Sequence, residues 1–225
     1  MNGVLRSREE VENQIKFLRS MNLNLHKTFW KNWDLGLFIG FILKNCKLHA
    51  YILDVGCANN PLLHNLRRLG YVNLFGIDLK IENLTYPGVH YIRGDLTNAP
   101  FPDGQFDCVT SLSVMEHCSD PGHYFKEMAR LLRIGGFLLT STDYWPEKIE
   151  TTWVPKFFTF GLPWTIYSKS EVKAFLQTAK IYGLFPTSPI DLSAERPLIF
   201  WPNRPWSFLW GKRYTFLAFV LQRRL

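Results

Sequence analysis

The stretch Ile52-Leu-Asp-Val-Gly-Cys-Ala-Asn-Asn-Pro61 decides the reading of this chain. A short apolar strand carries an acid near its end, a tight turn of small residues follows, and Pro61 suits the first position of a helix. Such a strand–turn–helix leaves backbone N–H groups and one carboxylate facing a hollow at the strand's C-terminal end. Ligands of open α/β sheets bind there.

Working outward, the pattern alternates. Val4, Val11, Ile15 and Leu18 give a helix over 4–20, and a second helix is expected over 33–46. Strands are read at 51–55, 74–78, 89–93, 106–113, 136–141 and 214–221. Helices are read at 61–69, with Asn60 as its N-cap, and at 121–132. A last helix runs from the cap Ser168 to about 181, with Glu171 completing a capping box. Alternating β and α elements predict an α/β, Rossmann-like doubly wound sheet with helices on both faces. We read one domain over 1–225: a helical cap (1–47), a ligand-binding core (48–142), then a substrate cover and C-terminal strands (143–225).

At 225 residues, 47% hydrophobic and 20% charged, the chain suits one well-buried domain and not a disordered segment. Cys46, Cys57, Cys108 and Cys118 form no C-x-x-C pair, so no disulfide framework or zinc ribbon is expected, and no metal. No secretory leader pattern opens the sequence, and the longest apolar run, Leu35 to Leu43, is half a membrane span. A cytoplasmic protein is expected. The net charge of +7 gathers late: no acid follows Glu195, while Arg196, Arg204, Lys212, Arg213, Arg223 and Arg224 do. Trp201, Trp206 and Trp210 are interleaved with them. This segment either makes peripheral contact with an anionic membrane or phosphate-bearing substrate, or packs its aromatics inward beneath solvated cations.

The turn after the first core strand has one glycine, Gly56, where a nicotinamide fingerprint would read G-x-G-x-x-G. Asp54 stands where a phosphate-binding loop avoids negative charge. S-adenosylmethionine carries no phosphate, and its sulfonium and ammonium favour an acid; Asp54 would organise that end, directly or through water. Asp78 ends the next strand and can accept both ribose hydroxyl protons. Asp95 follows the third, placed to take the adenine amino group's hydrogen bond.

Asp54-Val-Gly56, Gly76-Ile-Asp78, Gly94-Asp95, Pro100-Phe-Pro-Asp-Gly-Gln-Phe-Asp107, Ser113-Val-Met-Glu-His117 and Leu131-Leu-Arg-Ile-Gly-Gly136 resemble, in order, the motifs of class I S-adenosylmethionine-dependent methyltransferases. The flavour is that of the ubiquinone-biosynthesis and polysaccharide-cluster small-molecule group, over about residues 50–142. The resemblance implies seven strands with the last antiparallel, and S-adenosylmethionine as cofactor. It also implies cofactor contacts at Asp54, Gly56, Ala58, Asp78, Leu79, Asp95, Leu96 and Ser113. Two customary glycines of the turn are here Ala58 and Asn60. Asn tolerates left-handed backbone and Ala adds one methyl, so an intact, tighter pocket is expected.

His117, just past the fourth core strand, is the candidate catalytic base for a hydroxyl acceptor; packing beneath the cofactor is its other reading. Asp143, Tyr144 and Trp145 follow the fifth strand as candidate acceptor contacts, with structural packing as their other reading. The stretch from Thr165 to Glu171, with 144–164, would cover the substrate, and Trp30, Trp33 and Asp34 would close the other side. The acceptor expected is a small molecule, a hydroxyl of a sugar, lipid-linked or quinone-like compound. Nucleic acid is disfavoured despite the charge, because no N/D-P-P-Y/F loop follows the fourth strand. A cofactor-binding regulatory or scaffold subunit remains the non-enzymatic alternative.

Overall fold

Neighbouring residues of a strand point to opposite faces, so a strand with Ile52 and Leu53 side by side needs apolar cover on both. The computed structural model, which describes residues 1–81, 84–159, 161–201 and 210–225, provides it. Both residues are 0% exposed and belong to different cores, one on each side of the sheet.

In chain order the elements are β1 (Gly3–Val4), α1 (Arg8–Ser20), α2 (Asn32–Asn45), β2 (Tyr51–Val55), α3 (Leu62–Arg68), β3 (Asn73–Asp78) and β4 (Val89–Arg93). There follow β5 (Phe106–Leu112), α4 (Pro121–Leu131), β6 (Leu132–Tyr144), α5 (Lys169–Ile181), β7 (Leu184–Pro186), β8 (Ile199–Trp201) and β9 (Lys212–Arg223). The strands run β4-β3-β2-β5-β6 in parallel, and β9 joins β6 antiparallel. The order reverses at β2, which lies between β3 and β5, and this reversal opens a crevice at the strands' C-terminal ends. Leu18, Phe38, Ile42 and Leu66 fill one core beneath α1, α2 and α3; Phe125, Met128 and Phe175 fill the other beneath α4 and α5. Each such side chain contributes roughly 1.5–3 kcal/mol when fully buried.

Among the described residues the sheet has nine strands, not seven. The cause is β9, which at 12 residues is longer than the expected 214–221. While β6 holds one edge, β7 pairs at residues 221–223 and β1 at 217 and 218 on the other, and β8 pairs with 212–214. The first helix accordingly starts at Arg8 and not at residue 4: Gly3 and Val4 are taken by the sheet, and extended Ser7 caps the helix, its Oγ accepting from Glu10 N–H at 3.2 Å. The capping box of Ser168 and Glu171 forms as read. Among the described residues no helix is long and apolar enough to cross a membrane.

Candidate active site

The turn after β2 is held from two sides. Gly56 sits at φ 70° and donates its N–H to the Ile77 carbonyl at 2.8 Å; a Cβ there would lie 2.3 Å from Val114 Cγ2. Asp78 Oδ2 accepts from the Ala58 N–H and Oδ1 from the Lys80 N–H, both at 3.0 Å. One half-buried carboxylate thus ties the turn after β2 to the turn after β3. An open cavity of about 730 Å³ lies beside it, lined by Leu79, Lys80, Arg93, Gly94 and Asp95. Asp95 is exposed, its Oδ1 accepting from the Thr97 N–H and hydroxyl at 2.8 Å. Leu96 packs against the second core.

Asp54 does not line that cavity. It is 0% exposed, accepting from the Thr110 hydroxyl at 2.7 Å and the Asn60 amide at 3.0 Å. Burial pushes its pKa up to about 7, against those two hydrogen bonds and with help from the charge of Asp78. Asn60 Oδ1 also accepts from the Leu62 N–H at 2.9 Å, but α3 begins one residue later than read, so Pro61 and not Asn60 is its N-cap. The residue in the customary glycine's place therefore connects the buried acid to the surface of the turn.

Past β5 the chain turns sharply at Ser113, which holds φ 52°. A left-handed serine is uncommon and stores strain; here its N–H donates to the Ser141 carbonyl and hydroxyl, both at 3.1 Å. Its hydroxyl accepts from Lys31 Nζ, which also lies 3.8 Å from the centroid of the Phe216 ring. Three buried acids share that ammonium's field. Asp34 accepts from Ser141 Oγ at 2.7 Å, Glu116 from Thr142 Oγ1 at 3.2 Å, and Asp143 from Trp164 Nε1 at 2.7 Å. Burial raises the pKa of all three, Glu116 to about 8 with Asp143's charge adding, while Lys31 lowers each.

Residues 161–167 lie over this end. The Thr165 N–H donates to the Glu116 carbonyl at 2.8 Å, Tyr167 N–H to the Asp143 carbonyl at 3.0 Å, and Tyr167 OH to the Met115 carbonyl at 3.1 Å. His117 Nδ1 lies 2.8 Å from the Pro163 carbonyl. A carbonyl only accepts, so Nδ1 keeps its proton and the neutral ring carries its lone pair on Nε2.

The comparisons bear on this arrangement. Residues 53–140 match the methyltransferase domain family. A ubiquinone biosynthesis O-methyltransferase of Caulobacter sp. (strain K31) is 24% identical over 152 residues, covering 63% of this chain and 59% of the relative. Phthiotriol/phenolphthiotriol dimycocerosates methyltransferase 1 of Mycobacterium ulcerans (strain Agy99) is 31% identical over 132 residues, 55% of this chain and 47% of the relative. The solved geranyl diphosphate C-methyltransferase of Streptomyces coelicolor A3(2) has the same fold, with a TM-score of 0.59 at 16% identity over 88% of this chain and 83% of that one. Residues 53–140 are a class I S-adenosylmethionine-dependent methyltransferase domain. The chain spans less than two thirds of the length of either relative.

Within the methyltransferase domain, Ala58 and Asp78 are brought into contact, Leu79 and Asp95 share one cavity, and Asp54 lies beneath the turn. Ser113 and His117 stand at the next strand over, beneath the cover. Of the two readings of Tyr144, packing is the one seen: it is 0% exposed in the second core, its hydroxyl donating to the Leu192 carbonyl at 2.6 Å. Trp33 is likewise core, and Trp30 meets Phe29 edge to face. Trp201 meets Trp164 edge to face and Trp210 packs against the first core; Trp206 and Arg204 lie outside the described residues. Sequence reasoning passed over Lys31. Its signal was available: a cation and an acid, Lys31 and Asp34, one turn apart where an apolar helix begins.

Proposed function

We propose that the protein transfers a methyl group from S-adenosylmethionine to a hydroxyl of a small acceptor, lipid-linked, quinone-like or sugar. The observation that carries this is Asp78. Its oxygens are fixed by the Ala58 and Lys80 N–H groups, and each keeps a lone pair for a ribose hydroxyl. In this reading Asp95 takes the adenine amino group, Leu79 and Leu96 flank the base, and the backbone of Gly56 and Ala58 lies along the nucleoside. Asp54, being buried, acts on the methionine end through Asn60. Ser113 borders the methyl donor, and His117 takes the acceptor's proton on Nε2.

The bound cofactor supplies the electrophilic methyl; the protein aligns the acceptor with it and excludes water. A hydroxyl acceptor is favoured by the tautomer that Pro163 imposes on His117. It is favoured too by the Caulobacter relative, named for O-methylation in ubiquinone biosynthesis. A cytoplasmic protein acting on a lipid-linked acceptor would work at the membrane surface.

The test is transfer of labelled methyl from S-adenosylmethionine to hydroxylated quinone headgroups, beside calorimetry with S-adenosylhomocysteine. Binding with transfer supports the reading. Binding without transfer to any hydroxyl acceptor favours a cofactor-binding subunit. Absent binding removes the proposal.

A further inference from the structure

The turn at Ser113 is gripped by two residues that precede the matched stretch 53–140. Lys31 ends the short 3₁₀ helix Phe29–Lys31, and Asp34 lies in the first turn of α2. Between them Asn32 is buried and fixes the loop before it. Its Oδ1 accepts from the His26 N–H at 2.8 Å, and its Nδ2 donates to the carbonyls of His26, Thr28 and Phe29 at 3.1, 3.2 and 3.1 Å. From that footing Lys31 Nζ donates to the Ser113 hydroxyl and stands over the Phe216 ring. Asp34 reaches the same residue through one relay: its Oδ2 accepts from Ser141 Oγ, which itself accepts from the Ser113 N–H. Side chain and backbone of Ser113 are thus held separately.

What these grips maintain is a left-handed serine, a conformation that residues with a Cβ avoid. The turn it makes sets the next residue against the turn after β2. The space a Cβ on Gly56 would need is taken by Val114 Cγ2. A Ser113 released to ordinary backbone would carry Val114 away from Gly56 and loosen that wall of the crevice.

We propose that Lys31 is a positioning residue for S-adenosylmethionine: it keeps Ser113 left-handed and thereby keeps Val114 closed against the Gly56 turn. The inference rests on the proposed placement of the cofactor along Gly56 and Ala58. It makes the segment before 53–140 part of the cofactor site, through a side chain that none of the ordered motifs contains. The rival role for Lys31 is charge balance, because Asp34, Glu116 and Asp143 all feel its ammonium. The two roles differ in whether they depend on a side chain at position 113.

Calorimetry with S-adenosylhomocysteine on the full chain tests this and needs no acceptor. Lys31→Met keeps bulk beside Phe216 and removes the donor. Affinity is expected to fall about tenfold, the order of one left-handed backbone penalty. Glycine reaches positive φ without help. In a Ser113→Gly background the same substitution should therefore change affinity by less than about twofold. Lost charge balance would act alike in both backgrounds. Should Lys31→Met fail to fold, Ser113→Ala against Ser113→Gly decides. Both lack the hydroxyl that Lys31 holds, but only alanine needs holding, so it is expected to bind about tenfold more weakly than glycine. Wild type that does not bind removes the cofactor placement and this inference with it. Wild type that binds, with Lys31→Met equally tight, with the same loss in the glycine background, or with alanine and glycine alike, overturns the role of Lys31 alone.

Discussion

Asp78 serves twice through one carboxylate, holding the turn at Ala58 and facing the proposed ribose. Asp78→Ala is therefore expected to weaken S-adenosylhomocysteine binding at least about tenfold, roughly the 1.4 kcal/mol of one charged hydrogen bond; calorimetry at unchanged affinity would remove the ribose assignment. His117→Ala should lower turnover by about 10²-fold, the smaller end of general-base contributions, with cofactor affinity retained. Unaltered turnover would leave His117 a structural tie to Pro163. At Gly56, an alanine meets both a left-handed backbone and Val114. The expected cost of Gly56→Ala is about 2–4 kcal/mol in urea unfolding, summing backbone and overpacking penalties. Combining it with Val114→Ala should recover the packing part alone; strict additivity would show that the clash is absorbed elsewhere. The acids at the strand ends were legible from their positions. What their positions did not reveal was depth: Asp54 lies under Asn60, because Thr110 on the neighbouring strand draws it inward.

Elements whose signals are local were readable, and those made by distant pairing were not. Ser168 and Glu171 announce α5 three residues apart, and the box forms. By contrast, Gly3 pairs with Ala218 and Val4 with Leu217, partners that no local window contains. Val4 also fits the helical spacing that follows it, so periodicity carried the helix too far back. The segment before α5 shows the same limit: its aromatics were visible, but not their distant anchors, among them the bond from Trp164 to Asp143. Trp164→Phe keeps most of the ring and strips that donor from a buried acid. We expect a loss of about 1–3 kcal/mol in urea unfolding, with S-adenosylhomocysteine affinity unchanged. A neutral outcome would mean that Tyr214, which also bonds Asp143, suffices.

Across the whole molecule, burial raises the pKa of Asp34, Asp54, Glu116 and Asp143, so the fold favours the protonated form of each more than the unfolded chain does. A raised folded pKa gives stability that is complete below the unfolded value and lost as pH climbs through the folded one. For Glu116 that window runs from 4.5 to about 8, and for Asp54 from 3.8 to about 7. The thermal midpoint should fall from pH 5 to pH 8, although His64, whose pKa burial lowers, pulls the other way near 6.5. Glu116→Gln should flatten the slope; an unchanged slope would mean that Glu116 is already ionised in the fold. The sequence displayed the sheet's central strands because each reads as its own apolar run. It did not display the acids' shared surroundings, since Lys31, Glu116 and Asp143 come from three separate segments. One peptide joins these scales. The carbonyl that decides which ring nitrogen of His117 is protonated belongs to Pro163, in the segment we propose as the acceptor's cover. If His117 is the base proposed above, an acceptor that displaced Pro163 would also release the imidazole from the tautomer that removes the proton, so this one carbonyl would tie recognition to chemistry.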